Sequence, residues 1–416
     1  MPAEKSYTFE RSAALMERAT RVIPNGIYGH QSPLLLTHGS YPSFLARGEG
    51  CRIWDVDGNE YIDFMCSYGP IVLGHRHPRV EEAVRAQLEK ADCQNLPGEP
   101  WVELAELLVS ITPCADWAVF AKNGSDATTW AIAVARAHTG RDKVIMAAGV
   151  YHGSHPWCTP NIAGTTEGER MDVLTFQYND LEDLRRVVAE NKGQVAGIIL
   201  GPFRHEIFIH SQEMPAPGFH DGVRAICDQE GIVLILDDVR AGFRLHLGGS
   251  GEALGLRPDL TCYSKAVANG YALSVGLGRE ELRSAAQQIY LTGSFFFAAA
   301  SMAAAIATIN ALRDEGGIEK MLAAGTRFRE GMDQQARSLG LAITQSGPPA
   351  IPFLTFDADE HFERSRLWAG ECARRGVFVH PHHNWFLCAA HGDADIDEAL
   401  VATEAAFKLV KDKFGG

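Results

Sequence analysis

Residues 232–244 read "IVLILDDVRAGFR". Five consecutive apolar residues, Ile232 to Leu236, suit a strand covered on both faces, and the run stops at two adjacent carboxylates. Burying a carboxylate beside such a run is costly unless a cation or a hydrogen-bond donor meets it. A partner is therefore expected for Asp237 or Asp238.

Similar apolar runs precede this one. "WAVFA" (117–121) leads into a helical pattern through His138, and "KVIMA" (143–147) follows. "VAGIIL" (195–200) leads to a helix around "GVRAICDQEG" and so to the opening stretch. Strands alternating with helices imply an α/β fold, a mostly parallel central sheet with helices on both faces. Ligands of such sheets sit beyond the carboxyl ends of the strands, where Asp237 lies. Upstream, "CRIWDVDGNEYIDFM" reads as a hairpin turning at Asp57-Gly58. Downstream, helices dominate, followed by the short apolar segments "FLTF" and "WFLCAA". The expected division is an N-terminal segment (1–75), a large α/β domain (76–315) and a smaller C-terminal α/β domain (316–416).

Composition narrows the function. The chain has 416 residues, with 38 Lys and Arg against 52 Asp and Glu, a net charge of −14. Without a basic run, nucleic acid and anionic membranes are poor partners. "FFFAAASMAAAIATI" (295–309), broken by Ser301, is too short to span a bilayer and reads as a buried helix. The N-terminus carries acidic residues and no long apolar core, so it is not a secretory signal, and a cytoplasmic location is expected. Nine cysteines without a C-x-x-C pair argue against a disulfide framework or zinc ribbon. No metal is expected: the three histidines of "HPHHNW" are interrupted by proline and lack a carboxylate.

Three further segments fall beside strand ends. In "AKNGSDATTW", Asn123, Gly124 and Ser125 open a helix. This is either an anion cradle of free N–H groups or an ordinary N-cap. In "GVYHGS" (149–154), Tyr151 and His152 could stack on a flat ligand or simply anchor the loop. Lys265, in "TCYSKAVANGYALSVGLG", lies in an apolar, glycine-rich context and is either structural or chemical.

In this order the segments resemble the fold-type I pyridoxal phosphate (PLP) enzymes. The set of "IPNG", "YGPIVLGHRHP", "NGSDAT…ARAHTGRDKV", "YHG", "LDDVRAGFR" and the lysine segment resembles class III aminotransferases, and among them the glutamate-1-semialdehyde aminomutases. The resemblance covers nearly the whole chain. It implies a PLP-dependent aminotransferase moving an amino group from an amine or amino acid to a carbonyl acceptor. Lys265 would form the Schiff base and shuttle the proton, and Asp237 would keep the pyridine nitrogen protonated. Asn123, Gly124 and Ser125 would hold the phosphate, with Tyr151, His152 and Val239 around the ring. Ser294 would come from the second subunit of a homodimer whose active sites lie at the interface. Strand alternation gives Asp237 and Val239 one direction, makes Asp238 a bystander, and turns Arg240 away from the ring.

The substrate half departs from the pattern. The aminomutases carry an arginine shortly after "IPGG" that grips the substrate carboxylate, whereas "IPNGIYGHQSPL" has none. Tyr28, His30, Tyr68, Arg204 and His382 are the substrate candidates instead. Aminomutase, epimerase and ammonia-lyase outcomes share the same cofactor residues and are the alternatives. A nucleotide-binding or PLP-sensing regulatory module lacks support, since the chain has no G-x-G-x-x-G after its first strand and no basic helix-turn-helix segment.

Overall fold

The computed structural model describes residues 7–29, 36, 40–205 and 211–415. Two compact units emerge, one from the described residues before 78 and after 318 together with Ser211, the other from the residues between. The first unit opens with β1 (Leu45–Glu49), β2 (Arg52–Asp55) and β3 (Glu60–Asp63). β2 and β3 pair antiparallel across the Asp57-Gly58 turn, where Gly58 has φ +91°.

The second unit carries β4 (Trp117–Ala121), β5 (Lys143–Ala147), β6 (Val173–Phe176), β7 (Val195–Leu200), β8 (Val233–Asp237), β9 (Leu260–Tyr263) and β10 (Ser274–Gly278). Their spatial order is β4-β10-β9-β8-β7-β5-β6. β6, β5, β7, β8 and β9 run parallel, and β10 is antiparallel to both β9 and β4. Every residue of β7 and β9 is buried, as is all of β8 up to Leu236. That double coverage is why these strands read as unbroken apolar runs.

The first unit resumes within the helix Gly317–Leu339 and continues through β11 (Ile343–Ser346), β12 (Phe353–Phe356) and β13 (Val377–Phe378). β13 joins β3 in parallel, and β11 pairs with β12. "WFLCAA" is extended but forms no strand. Trp385 and Leu387 donate to Pro352 and Ala350, while Phe386 and Ala389 donate to Phe64 and Val72. Its N–H groups thus reach neighbouring segments on two sides.

Candidate active site

Alternation along β8 decides which carboxylate meets a ligand. Val233 and Ile235 pack with Ala131, Val134 and Ala135 of the helix Gly124–Thr139, whereas Leu234 and Leu236 pack on the other face with Leu184, Val223 and Ile226. Asp237 follows Ile235 in direction, toward the side where that helix begins. Its Oδ2 lies 2.7 Å from His152 Nδ1, and its Oδ1 accepts the Val239 N–H at 3.2 Å. The partner that the sequence requires for this carboxylate is therefore an imidazole, itself buried.

Asp238 goes the other way and is wholly buried. It accepts the Ser250 N–H at 2.7 Å and the Ser250 hydroxyl. Burial lifts its pKa to about 7, although the Ser250 hydrogen bonds oppose the shift. It ties the strand end to the segment at Ser250 and has no outlet to solvent.

Lys265 follows β9 and opens a short 3₁₀ turn with φ +48°. Its neighbours Ala266, Val267 and Ala268 are fully buried, and Lys265 itself is half-buried beside the charged groups at the end of β8. Burial pushes its pKa down to about 7; the cations Arg240 and Arg244 push the same way, and Asp237 opposes them. An amine with this pKa is a free base for about half of the time at pH 7, against ~0.04% for an ordinary lysine.

Arg240 corrects the alternation argument. Its charge bears on Lys265, and the carboxylate of Asp237 and the phenol of Tyr151 in turn act on Arg240. β8 ends at Asp237, and the chain turns from Val239 onward, so the two-residue period no longer governs direction. Burial lowers the guanidinium to about 10. Arg240 is thus a cation of the site. Arg244, fully buried, is a second.

The helix Gly124–Thr139 starts immediately beyond β4. Asp126 Oδ2 accepts the Asn123 N–H at 2.8 Å and fixes the entry to the helix. The Asp126 N–H donates to the Asn123 carbonyl at 3.0 Å, so the N–H groups that face outward for an anion are those of Gly124 and Ser125 at the helix start. A Cβ on Gly124 would lie 2.9 Å from Val239 Cγ1, so only glycine lets the helix start approach the turn after β8. The loop after β5 is fastened to the same helix. Thr128 Oγ1 donates to the His152 carbonyl at 2.8 Å, and the Ser154 N–H donates to Ser125 Oγ at 3.0 Å. Tyr151 is half-buried, which raises its phenol pKa.

Asn123, Gly124, Ser125, Tyr151, His152, Asp237, Val239 and Lys265 therefore all belong to the second unit. Direct contacts link Ser125 with the 152–154 loop, His152 with Asp237, and Gly124 with Val239. Ser294 lies in an exposed loop of the same unit, where its carbonyl accepts the Cys93 thiol at 3.2 Å.

Of the substrate candidates, Arg204, His382 and Tyr68 have partners of their own. Arg204 is ion-paired to Glu213 at 2.8 Å. Tyr28 is 70% exposed, and His30 lies outside the described residues. In the first unit, His382 Nε2 accepts from Arg366 Nε at 3.0 Å, and its ring packs edge-on against Phe362. Burial and then the Arg366 charge depress His382 to about 4, leaving it a neutral acceptor near pH 7. Tyr68 has φ +62°, and its ring meets His383 edge-on at 5.0 Å and His380 at 6.2 Å. Burial raises its phenol pKa. Among the described residues no group of three or more His, Cys, Asp or Glu is placed to hold a metal.

Three comparisons bear on this arrangement. The family model "Aminotransferase class-III" matches residues 36–345. An aminopentol aminotransferase from Sphingopyxis macrogoltabida is 44% identical over 400 residues, 96% of this chain and 94% of that protein. A glutamate-1-semialdehyde 2,1-aminomutase from Geotalea daltonii is 33% identical over 435 residues, 97% of this chain and all of that one. The solved structure of the PLP internal aldimine form of FumI from Sphingopyxis sp. MTA144 superposes with a TM-score of 0.95 at 44% identity, over 98% of each chain.

Proposed function

The chain belongs to the class III aminotransferases and is a PLP-dependent enzyme; on that premise we propose the residues that carry its chemistry. When bound, PLP supplies an aldehyde that condenses with primary amines and a pyridinium ring that accepts electrons as a bond to the substrate carbon breaks. The side chains present fit such a group. A side-chain-free residue, Gly124, opens the helix whose first-turn N–H groups, with Ser125, suit a phosphate. Asp237, backed by His152 at 2.7 Å, suits a protonated ring nitrogen, since a neighbouring carboxylate favours the charged form.

Lys265 is the amine that holds the cofactor and afterwards the proton carrier. Its depressed pKa lets Nζ attack a carbonyl at neutral pH and, once freed by the incoming amine, take a proton from the substrate's amine-bearing carbon. His152 positions Asp237 and fixes which oxygen faces the ligand. Val239 and Tyr151 flank the ring. The single observation that carries this reading is the meeting, beyond the end of β8, of the Asp237–His152 pair at 2.7 Å with the glycine-opened helix start packed against Val239.

The large unit is read as the cofactor domain (76–315), with residues 1–75 and 316–416 forming the smaller one. Two copies would share the site. Ser294 sits between Tyr290, 91% exposed, and Phe295, 67% exposed, an apolar setting that suits burial against a second subunit. With none of the nine cysteines in a disulfide, a reducing cytoplasm is the proposed location.

The donor we propose is an amine without a neighbouring carboxylate. "IPNGIYGHQSPL" lacks the arginine that would clamp one, and the relative at 44% identity is named for an aminopentol. A donor-by-acceptor panel tests this: amino alcohols should convert the bound cofactor to its amine form faster than glutamate or alanine does. Isomerisation of one substrate without a keto acceptor would instead mark an aminomutase.

A further inference from the structure

We propose that Ser154, in the loop after β5, is a ligand of the cofactor phosphate, an inference that rests on the PLP site described above. The hydroxyl of Ser125 has one proton. Because Ser125 Oγ already accepts the Ser154 N–H at 3.0 Å, that proton is available to donate outward. The Ser154 hydroxyl stands 3.5 Å away from it and is exposed to solvent. Two hydroxyl donors at this spacing can converge on a single anionic oxygen, each at about 2.7 Å.

The position of Ser154 is built into the fold. Gly153 has φ +130°, and a Cβ there would lie 2.6 Å from Ser125 Oγ, so the loop is pressed against the helix start. Thr128 holds the His152 carbonyl at 2.8 Å, and His152 Nδ1 meets Asp237 at 2.7 Å. Residues 152–154 thus reach the ring-nitrogen carboxylate at one end and the helix start at the other. A single three-residue segment sets the distance between the cofactor's two polar ends. The Ser154 hydroxyl comes from the same chain as Lys265, so this contact needs no second subunit.

The test is cofactor affinity, independent of turnover. Apoenzyme of the wild type, Ser154→Ala and Ser154→Thr is titrated with PLP and with pyridoxal, which lacks the phosphate, and tryptophan fluorescence is followed. Ser154→Ala should bind PLP about tenfold more weakly while binding pyridoxal as the wild type does, and Ser154→Thr should restore PLP affinity. Equal PLP affinity in wild type and Ser154→Ala would overturn the assignment. So would a parallel loss for PLP and pyridoxal, the mark of a merely structural role. If the wild type bound PLP no better than pyridoxal, the phosphate cradle itself would fall, and Ser154 with it.

Discussion

Replacing Lys265 by methionine in the cofactor-free protein isolates the cost of enclosing the amine. Burial, with Arg240 and Arg244 adding to it, takes this lysine from 10.5 to about 7. The unfolded chain therefore keeps a proton that the folded chain releases throughout the interval between those values. Stability rises with pH wherever the unfolded state binds more protons, so the wild type gains stability from near pH 7 upward. Relative to an uncharged side chain of similar length, the lysine costs the fold roughly 4 kcal/mol at pH 7, about 2 kcal/mol at pH 9, and close to nothing above pH ~11. Lys265→Met should thus be the more stable protein at pH 7 and lose about 2 kcal/mol of that advantage by pH 9. Denaturant unfolding of both apoproteins across this range measures it. A difference that stays flat, or that grows with pH, would refute the electrostatic account of the site.

Other perturbations separate neighbouring residues. Asp237→Asn should lower turnover by at least about 100-fold while the fold persists, and Asp238→Asn should leave turnover within a few-fold of wild type; steady-state kinetics of the pair decides. Arg240→Leu removes a cation acting on Lys265, so the amine's pKa should rise and the acid limb of the pH–rate profile should move to higher pH. Ser250→Ala deletes one of the two Ser250 hydrogen bonds to a buried carboxylate and should cost about 1–3 kcal/mol in unfolding free energy without altering the cofactor spectrum. For the proposed dimer, Ser294→Ala mixed with Lys265→Ala should recover part of the activity if each subunit lends a serine to the other, and none if the site is confined to one chain.

Most of the sheet was legible because its central strands are buried on both faces and show it as unbroken apolar runs. "IVLIL" ending at Asp237 located both the strand and its carboxyl end, and alternation separated Asp237 from Asp238 correctly. The same rule failed one step later. Arg240 lies beyond the last strand residue, where a turn sets direction, and no periodicity in the sequence announces that. Hydrogen-bond partners distant in sequence were equally hidden. Nothing near Arg204 or His382 signalled that Glu213 and Arg366 would engage them, and the closure of the 152–154 loop on Ser125 depends on a contact across 29 residues.

The central claim is that Lys265 is the residue to which the cofactor is joined. Holoenzyme treated with borohydride, digested and sequenced by mass spectrometry tests it directly. The pyridoxyl mass should appear on the peptide carrying Lys265, and Lys265→Met should yield no labelled peptide. A label on any other lysine, Lys122 beside the helix start included, or a labelled Lys265→Met protein, would contradict the account.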